Sequence, residues 1–330
     1  MRMDTLVSFC CVACLVFCFS AIAEDDKRGL NFKAPPGNLA HKLHQGNYRA
    51  VIIGNDQYQD KEGVWHTLKT ATKDAEAVAE ILSKHYSFED VTLLKDVNRR
   101  EILLEMKKLS KRVEPNDNIL VYYAGHGYLD EETNRGYWIP VDAQGEDTTT
   151  FIRNSTIRDE INIIAEKTKH TLLISDSCFS GSLLRGGNRA PKLREKTPPY
   201  YIKVSNKKSV QILAAGGVEY VDDNYKNSGH SPFTYFLLNE LKNNVEALLT
   251  MSELSSNVIR AVANNVDQTP EAGILQGAGD ELGEFIFARV SLKDNIVEIM
   301  ATKTDKKNDQ VIIMKAKEKI PPVIMPLPRF

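Results

Sequence analysis

Between Tyr48 and Val290, short apolar runs alternate with longer stretches whose apolar residues recur every three or four positions, which is the pattern of strands interleaved with amphipathic helices. The runs Tyr48–Gly54, Val91–Leu94, Asn118–Ala124, Thr171–Asp176, Val210–Ala215 and Glu284–Val290 predict strands. Helices are predicted over Thr70–Tyr86, Arg99–Arg112, Thr156–Lys167, Pro232–Lys242 and Ser252–Asn264. Two strands, Asn118-Ile-Leu-Val-Tyr-Tyr and Thr171-Leu-Leu-Ile, are continuously apolar instead of alternating. Helices covering both faces of a parallel sheet produce that pattern. The order of elements therefore predicts one α/β domain over residues 47–290, built on a doubly covered sheet.

Three segments depart from this pattern. Residues 183–209 hold eight Lys or Arg against one acid, with Gly186-Gly187 and three prolines, and read as a basic loop between a first part (47–182) and a second (210–290). Residues 291–330 carry lysines, Pro321-Pro322 and Pro326 with one short apolar run, and read as a poorly ordered tail. At the other end, Arg2 precedes the apolar run Leu6–Phe19, and Ala21-Ile22-Ala23 supplies the small residues that a signal peptidase reads. Residues 1–23 thus read as a cleavable signal peptide, residues 24–46 as a linker, and the mature chain as exported to a periplasm or the medium. The apolar run is shorter than the roughly 20 residues that span a bilayer, so only an uncleaved segment would tie the chain to a membrane.

Composition adds two constraints. The 42% hydrophobic and 26% charged content is that of a globular protein, and the net charge of −2 offers no footprint for a nucleic acid. Four of the five cysteines, at positions 10, 11, 14 and 18, lie in the signal segment. Cleavage after Ala23 leaves Cys178 alone, which excludes an intrachain disulfide and a cysteine-based zinc site from the mature chain.

Functional groups in parallel α/β sheets gather at the carboxyl ends of strands. One predicted strand ends in Val121-Tyr-Tyr-Ala-Gly-His126-Gly127, another in Leu173-Ile-Ser-Asp176-Ser-Cys178. Each residue alone has an ordinary reading: a cysteine is a small buried hydrophobe, and a histidine beside glycine is common in turns. As neighbours they have a chemical one. An imidazole accepts the proton of a thiol and returns it to a leaving amine, and the backbone N–H groups of Gly127 and Cys178 suit the oxyanion of a tetrahedral intermediate.

Tyr122-Tyr-Ala-Gly-His-Gly and Asp176-Ser-Cys-Phe-Ser-Gly resemble the two catalytic signatures of the caspase-like cysteine peptidases (peptidase C14 type), in their metacaspase and bacterial orthocaspase branch. Leu68-Lys-Thr-Ala-Thr-Lys-Asp74-Ala resembles an early helix start of that family, with Lys73 where an Asn is usual. Leu213-Ala-Ala-Gly, His230-Ser-Pro-Phe-Thr-Tyr-Phe-Leu and Gly283-Glu-Phe-Ile-Phe resemble its small-subunit half. The resemblance implies a caspase-hemoglobinase-like three-layer sandwich with a six-stranded, mostly parallel sheet between helices. It also implies an endopeptidase acting through Cys178 and His126, with no required cofactor and with protein or peptide substrates as partners.

In metacaspases the aspartate matching Asp176 lines the S1 pocket and selects Arg or Lys; by the same resemblance Asp74 and Asp222 are further candidates. Asp74 also reads as an ordinary first-turn helix acid, and Glu219 or Asp222 as solvated loop charges. Arg185, Arg189 and Arg194 then offer self-processing sites in the basic loop, unless that loop is merely solvated. Many metacaspases are activated by calcium, and Asp130-Glu131-Glu132 and Asp222-Asp223 offer oxygen ligands, but neither has the spacing of a calcium loop. Two other readings remain at this level: a non-catalytic interaction module on the same scaffold, and a peptidase of the gingipain, legumain or clostripain type.

Overall fold

The computed structural model describes residues 46–178, 183, 197–216, 224–277 and 279–290. Its centre is a six-stranded sheet of β1 (Tyr48–Gly54), β2 (Phe88–Lys95), β3 (Asn118–Ala124), β7 (His170–Asp176), β8 (Ser209–Ala214) and β10 (Glu271–Ile274), in the order β10-β8-β7-β3-β1-β2. All pairings are parallel except that of β10 with β8.

The continuous apolar runs are explained by the two layers that cover this sheet. Leu120, Tyr122, Leu172 and Ile174 face α1 (Ala71–His85), α5 (Pro232–Asn243) and α6 (Met251–Ala263), packing with Val78, Leu82, Phe233, Leu237, Leu254 and Val258. The intervening residues Ile119, Val121, Tyr123 and Leu173 face α2 (Arg99–Arg112) and α3 (Asn154–Lys167), packing with Ile102, Met106, Leu109, Ile157, Ile161 and Ile164. A strand with both faces covered has no solvent-facing side, so alternation disappears. The three-layer sandwich expected from the sequence is what forms, and all five predicted helices are present within a few residues.

Two expectations need correction. Glu284–Val290 is not a strand of the main sheet: only β11 (Ile286–Ala288) forms, and it pairs antiparallel with β9 (Leu248–Thr250) in a separate ribbon. Its Phe285 and Phe287 pack against Tyr48, Tyr86 and Phe88, so the apolar signal came from an aromatic cluster. The sixth strand is β10, Glu271-Ala-Gly-Ile, which is too short and too poor in apolar residues to stand out and is fixed by its edge pairing with β8. Nor is 183–209 a loop throughout, because α4 (Pro198–Ser205) lies inside it. Pro198 and Pro199, read as breakers, occupy the first turn, where a missing N–H costs nothing, and the Thr197 hydroxyl accepts from the Tyr200 N–H. The sequence reading also missed a small antiparallel sheet of β4 (Gly127–Asp130), β5 (Arg135–Trp138) and β6 (Ile152–Arg153).

At the base of the sheet, His170 is 5% exposed. Its Nδ1 meets the Ser209 hydroxyl at 2.8 Å and its Nε2 the Ser205 carbonyl at 3.0 Å. Burial lowers its pKa to about 4, against 6.5 for a free imidazole. The unfolded chain therefore binds a proton that the folded chain refuses, and stability falls as the pH drops from 6.5 towards 4. Between about pH 7 and pH 5 the wild-type protein is expected to lose about 2 kcal/mol more than a His170→Asn variant, measured by urea denaturation at each pH.

Candidate active site

The register of β3 with β7 sets Tyr123 opposite Ser175 and Ala124 opposite Asp176, so the two strands end level. The Gly125 N–H donates to the Asp176 carbonyl at 3.3 Å and continues the pairing one residue further. Beyond it the chains remain in contact. A Cβ on Gly127 would stand 2.2 Å from the carbonyl oxygen of Cys178 and 3.1 Å from its nitrogen. Only glycine permits this approach, and His126 is thereby held beside Cys178, which is half-buried and in no disulfide.

The imidazole of His126 is held on three sides. Its Nε2 is 2.8 Å from the His66 carbonyl oxygen, which has no proton to give, so Nε2 carries the hydrogen and Nδ1 is the basic nitrogen. The rings of Tyr58 and Trp65 lie 4.7 and 5.6 Å from it, centroid to centroid. Its backbone N–H donates to the Tyr58 hydroxyl at 2.8 Å, and its carbonyl accepts from the Tyr123 hydroxyl and the Ile139 N–H.

Tyr58, Trp65 and His66 were missed in the sequence, although three rings clustered in an otherwise polar loop were a signal. The carboxylate of Asp60 organises that loop. It accepts from the N–H groups of Glu62, Val64, Trp65 and Gly145. Desolvation pushes its pKa up, but these four donors overcome it and hold it at about 2.

On the other side of Cys178, the half-buried Asp176 accepts at Oδ2 from the hydroxyls of Ser231 and Thr234, at 2.5 and 2.6 Å. Ser231 caps α5, and its oxygen also takes the Thr234 N–H. Tyr122 reaches Thr234 at 2.6 Å. Asp74 lies close by, 1% exposed. Its Oδ1 meets Nδ1 of His230 at 2.6 Å and its Oδ2 the Ser231 N–H at 3.1 Å. Burial raises the pKa of Asp74, and the bonds to His230 and Ser231 work against that rise.

The structure thus brings His126, Gly127, Asp176 and Cys178 to one rim and joins Asp74 to Asp176 through Ser231. His230 and Thr234 received no role in the sequence reading, though their motif was noticed. Asp222, Glu219, Arg185, Arg189, Arg194 and residues 1–23 lie outside the described residues. Asp130 suits a turn better than a cation: its carboxylate accepts from the Glu132 N–H and from the N–H and hydroxyl of Thr133, which lower its pKa. Among the described residues no cluster of three or more His, Cys, Asp or Glu is arranged to hold a metal ion.

A model of the caspase domain matches residues 47–275, and the chain belongs to that family of cysteine peptidases. It is 28% identical over 169 residues to metacaspase-1A of Aspergillus terreus and 27% identical over 173 residues to metacaspase-1 of Emericella nidulans. Each alignment covers 46% of this chain and 40% of the relative, so the chain spans about two fifths of the length of the curated relatives it matches. Among solved structures, the Geobacter sulfurreducens protein GSU0716 aligns with a TM-score of 0.48 at 18% identity, covering 72% of this chain and 98% of that one. The Drosophila initiator caspase Dronc aligns with a TM-score of 0.47 at 12% identity, covering 69% and 79%.

Removing the Tyr58 hydroxyl takes away the acceptor of the His126 N–H. The Tyr58→Phe variant is expected to lose about 1–3 kcal/mol of stability in urea denaturation, the cost of an unmet buried donor.

Proposed function

We propose that the chain is a cysteine endopeptidase cleaving after Arg or Lys, with Cys178 as nucleophile and His126 as general acid and base. The observation that supports this reading is the contact of the Gly127 backbone with that of Cys178, one residue along from an imidazole whose Nε2 meets the His66 carbonyl. Sγ attacks the scissile carbonyl carbon while its proton passes to Nδ1 of His126, and the N–H groups of Gly127 and Cys178 receive the oxyanion. The C–N bond then breaks as His126 returns the proton to the leaving amine, leaving a thioester. Water, deprotonated by His126, attacks the thioester and releases the acid and the thiol.

Asp176, two residues before the nucleophile and held by two hydroxyls, suits the positive side chain of the residue before the cut. The same reading takes residues 1–23 as an export signal and Arg185, Arg189 and Arg194 as self-processing sites. Incubation that leaves both the wild type and Cys178→Ala as intact bands would reject self-processing.

Purified protein is expected to hydrolyse fluorogenic peptides ending in Arg or Lys, with and without added calcium tested in parallel, and Cys178→Ala to abolish the activity. Asp176→Asn is expected to lower kcat/KM for these peptides at least about 100-fold, mainly through KM. A wild type that cuts only after Asp, or a chain that binds partners without turnover, would overturn the reading. Gly127→Ala, which forces the two backbones apart, is expected to lower kcat/KM about 100-fold while the protein still unfolds cooperatively.

A further inference from the structure

The strand order β10-β8-β7-β3-β1-β2 leaves β2 at one edge of the sheet, and its outer side has no partner strand among the described residues. The Gly54 carbonyl accepts from the Asp96 N–H, which fixes the phase of the parallel ladder. With Gly54 opposite Lys95, the N–H and C=O groups of Asp90, Thr92 and Leu94 point to β1, and those of Val91, Leu93 and Lys95 point away from it. No described residue bonds these outward groups. Leu93 is 38% exposed on this edge. A bare strand of this length is a template for another chain.

The sequence of the strand selects that chain. In an antiparallel pair, residues whose backbone groups point outward face one another as hydrogen-bonded pairs, so a strand meeting its own copy must place the two-fold axis on a residue. Set on Thr92, the axis puts Val91 opposite the partner's Leu93 and Glu89 opposite the partner's Lys95. Moved to Val91 or to Leu93, it puts Glu89 opposite the partner's Leu93 or the partner's Val97. Of these three registers, only the one centred on Thr92 joins apolar to apolar and acid to base.

The remaining charges permit this register. Lys95 is exposed and meets Glu76 of α1 at 2.7 Å, and an ammonium with three donors has room for a second carboxylate. Asp90, opposite the partner's Leu94, is already met by Arg49 and Arg112 of its own chain and requires nothing across the axis.

We propose that β2 is a self-association edge, through which two copies of the chain join antiparallel on a two-fold axis at Thr92 into one continuous sheet. The carboxyl ends of the strands then point in opposite directions in the two copies. The two rims that carry His126 and Cys178 lie on opposite sides of the assembly, each open to its own substrate, and β10 forms each outer edge. The inference does not depend on the peptidase reading.

Sedimentation of the full chain over a concentration series is expected to show a monomer–dimer equilibrium with a Kd of about 10–100 µM, as suits a short edge contact. Glu89→Lys and Lys95→Glu each set like charges against one another at both ends of the contact and are expected to raise Kd at least about tenfold. Both side chains are exposed, so each variant should still melt cooperatively. Mixed in equal amounts, the two variants restore both opposite-charge pairs, and the mixture is expected to dimerise as the wild type does. In amide-resolved hydrogen exchange, Val91, Leu93 and Lys95 should slow as the wild-type concentration passes through Kd.

A wild type that stays monomeric at about 1 mM overturns the proposal, as does a dimer that either charge reversal leaves unchanged or a mixture that does not associate. A monomer whose Val91 and Leu93 amides already exchange slowly also overturns it, in favour of the chain covering its own edge. Absence of cleavage after Arg or Lys would fail the peptidase reading and leave this one untouched.

Discussion

The pairing of β3 with β7 is the constraint on which the site depends. Two parallel strands in register from Asn118 and His170 end together at Ala124 and Asp176, and the Gly125 N–H carries the ladder one bond past the last strand residue. A shift of one residue would separate His126 from Cys178 and turn every apolar side chain of one strand to the opposite face. The two helical layers forbid that shift, because both faces of both strands are filled. The packing that stabilises the sheet is therefore also what holds the His126-Gly127 turn against the Cys178 backbone.

On this rim the protein keeps carboxylates where water is scarce, and it offsets much of their cost from one segment. The segment His230 to Thr234 brings an imidazole, a backbone N–H and two hydroxyls to Asp74 and Asp176. A helix N-terminus suits such a task because its orphan N–H groups and the positive end of its dipole favour negative charge. The consequence is mechanical as well as electrostatic: Ser231 binds both acids at once, so the second part of the domain is tied to β7 at its functional end.

The loop from Asp56 to His66 performs the matching task for His126. Asp56 caps α1 from a distance, accepting from the N–H groups of Ala71 and Thr72 and from the Thr72 hydroxyl. Asp60 gathers four N–H groups, so Trp65 and the His66 carbonyl arrive at the imidazole in fixed positions. Two buried or half-buried carboxylates thus take the place of regular secondary structure in a segment that has none.

The sequence alone specified the layer architecture, the five helices and the central strands, and it singled out His126, Gly127, Asp176 and Cys178 as candidates at two strand ends. These are carried by local signals: continuous apolar runs, helical periodicity, and short motifs at strand ends. Tertiary structure decided the edge strand β10, the ribbon that absorbed Glu284–Val290, the helix inside the basic segment, and the partners of His126 and Asp74. Each of those depends on groups far apart in the chain, such as His66 with His126 or His230 with Asp74, and no local pattern encodes a contact across 60 or 156 residues. Only the packed sheet brings those groups within hydrogen-bond distance, which is why their chemistry became legible once the fold was in place.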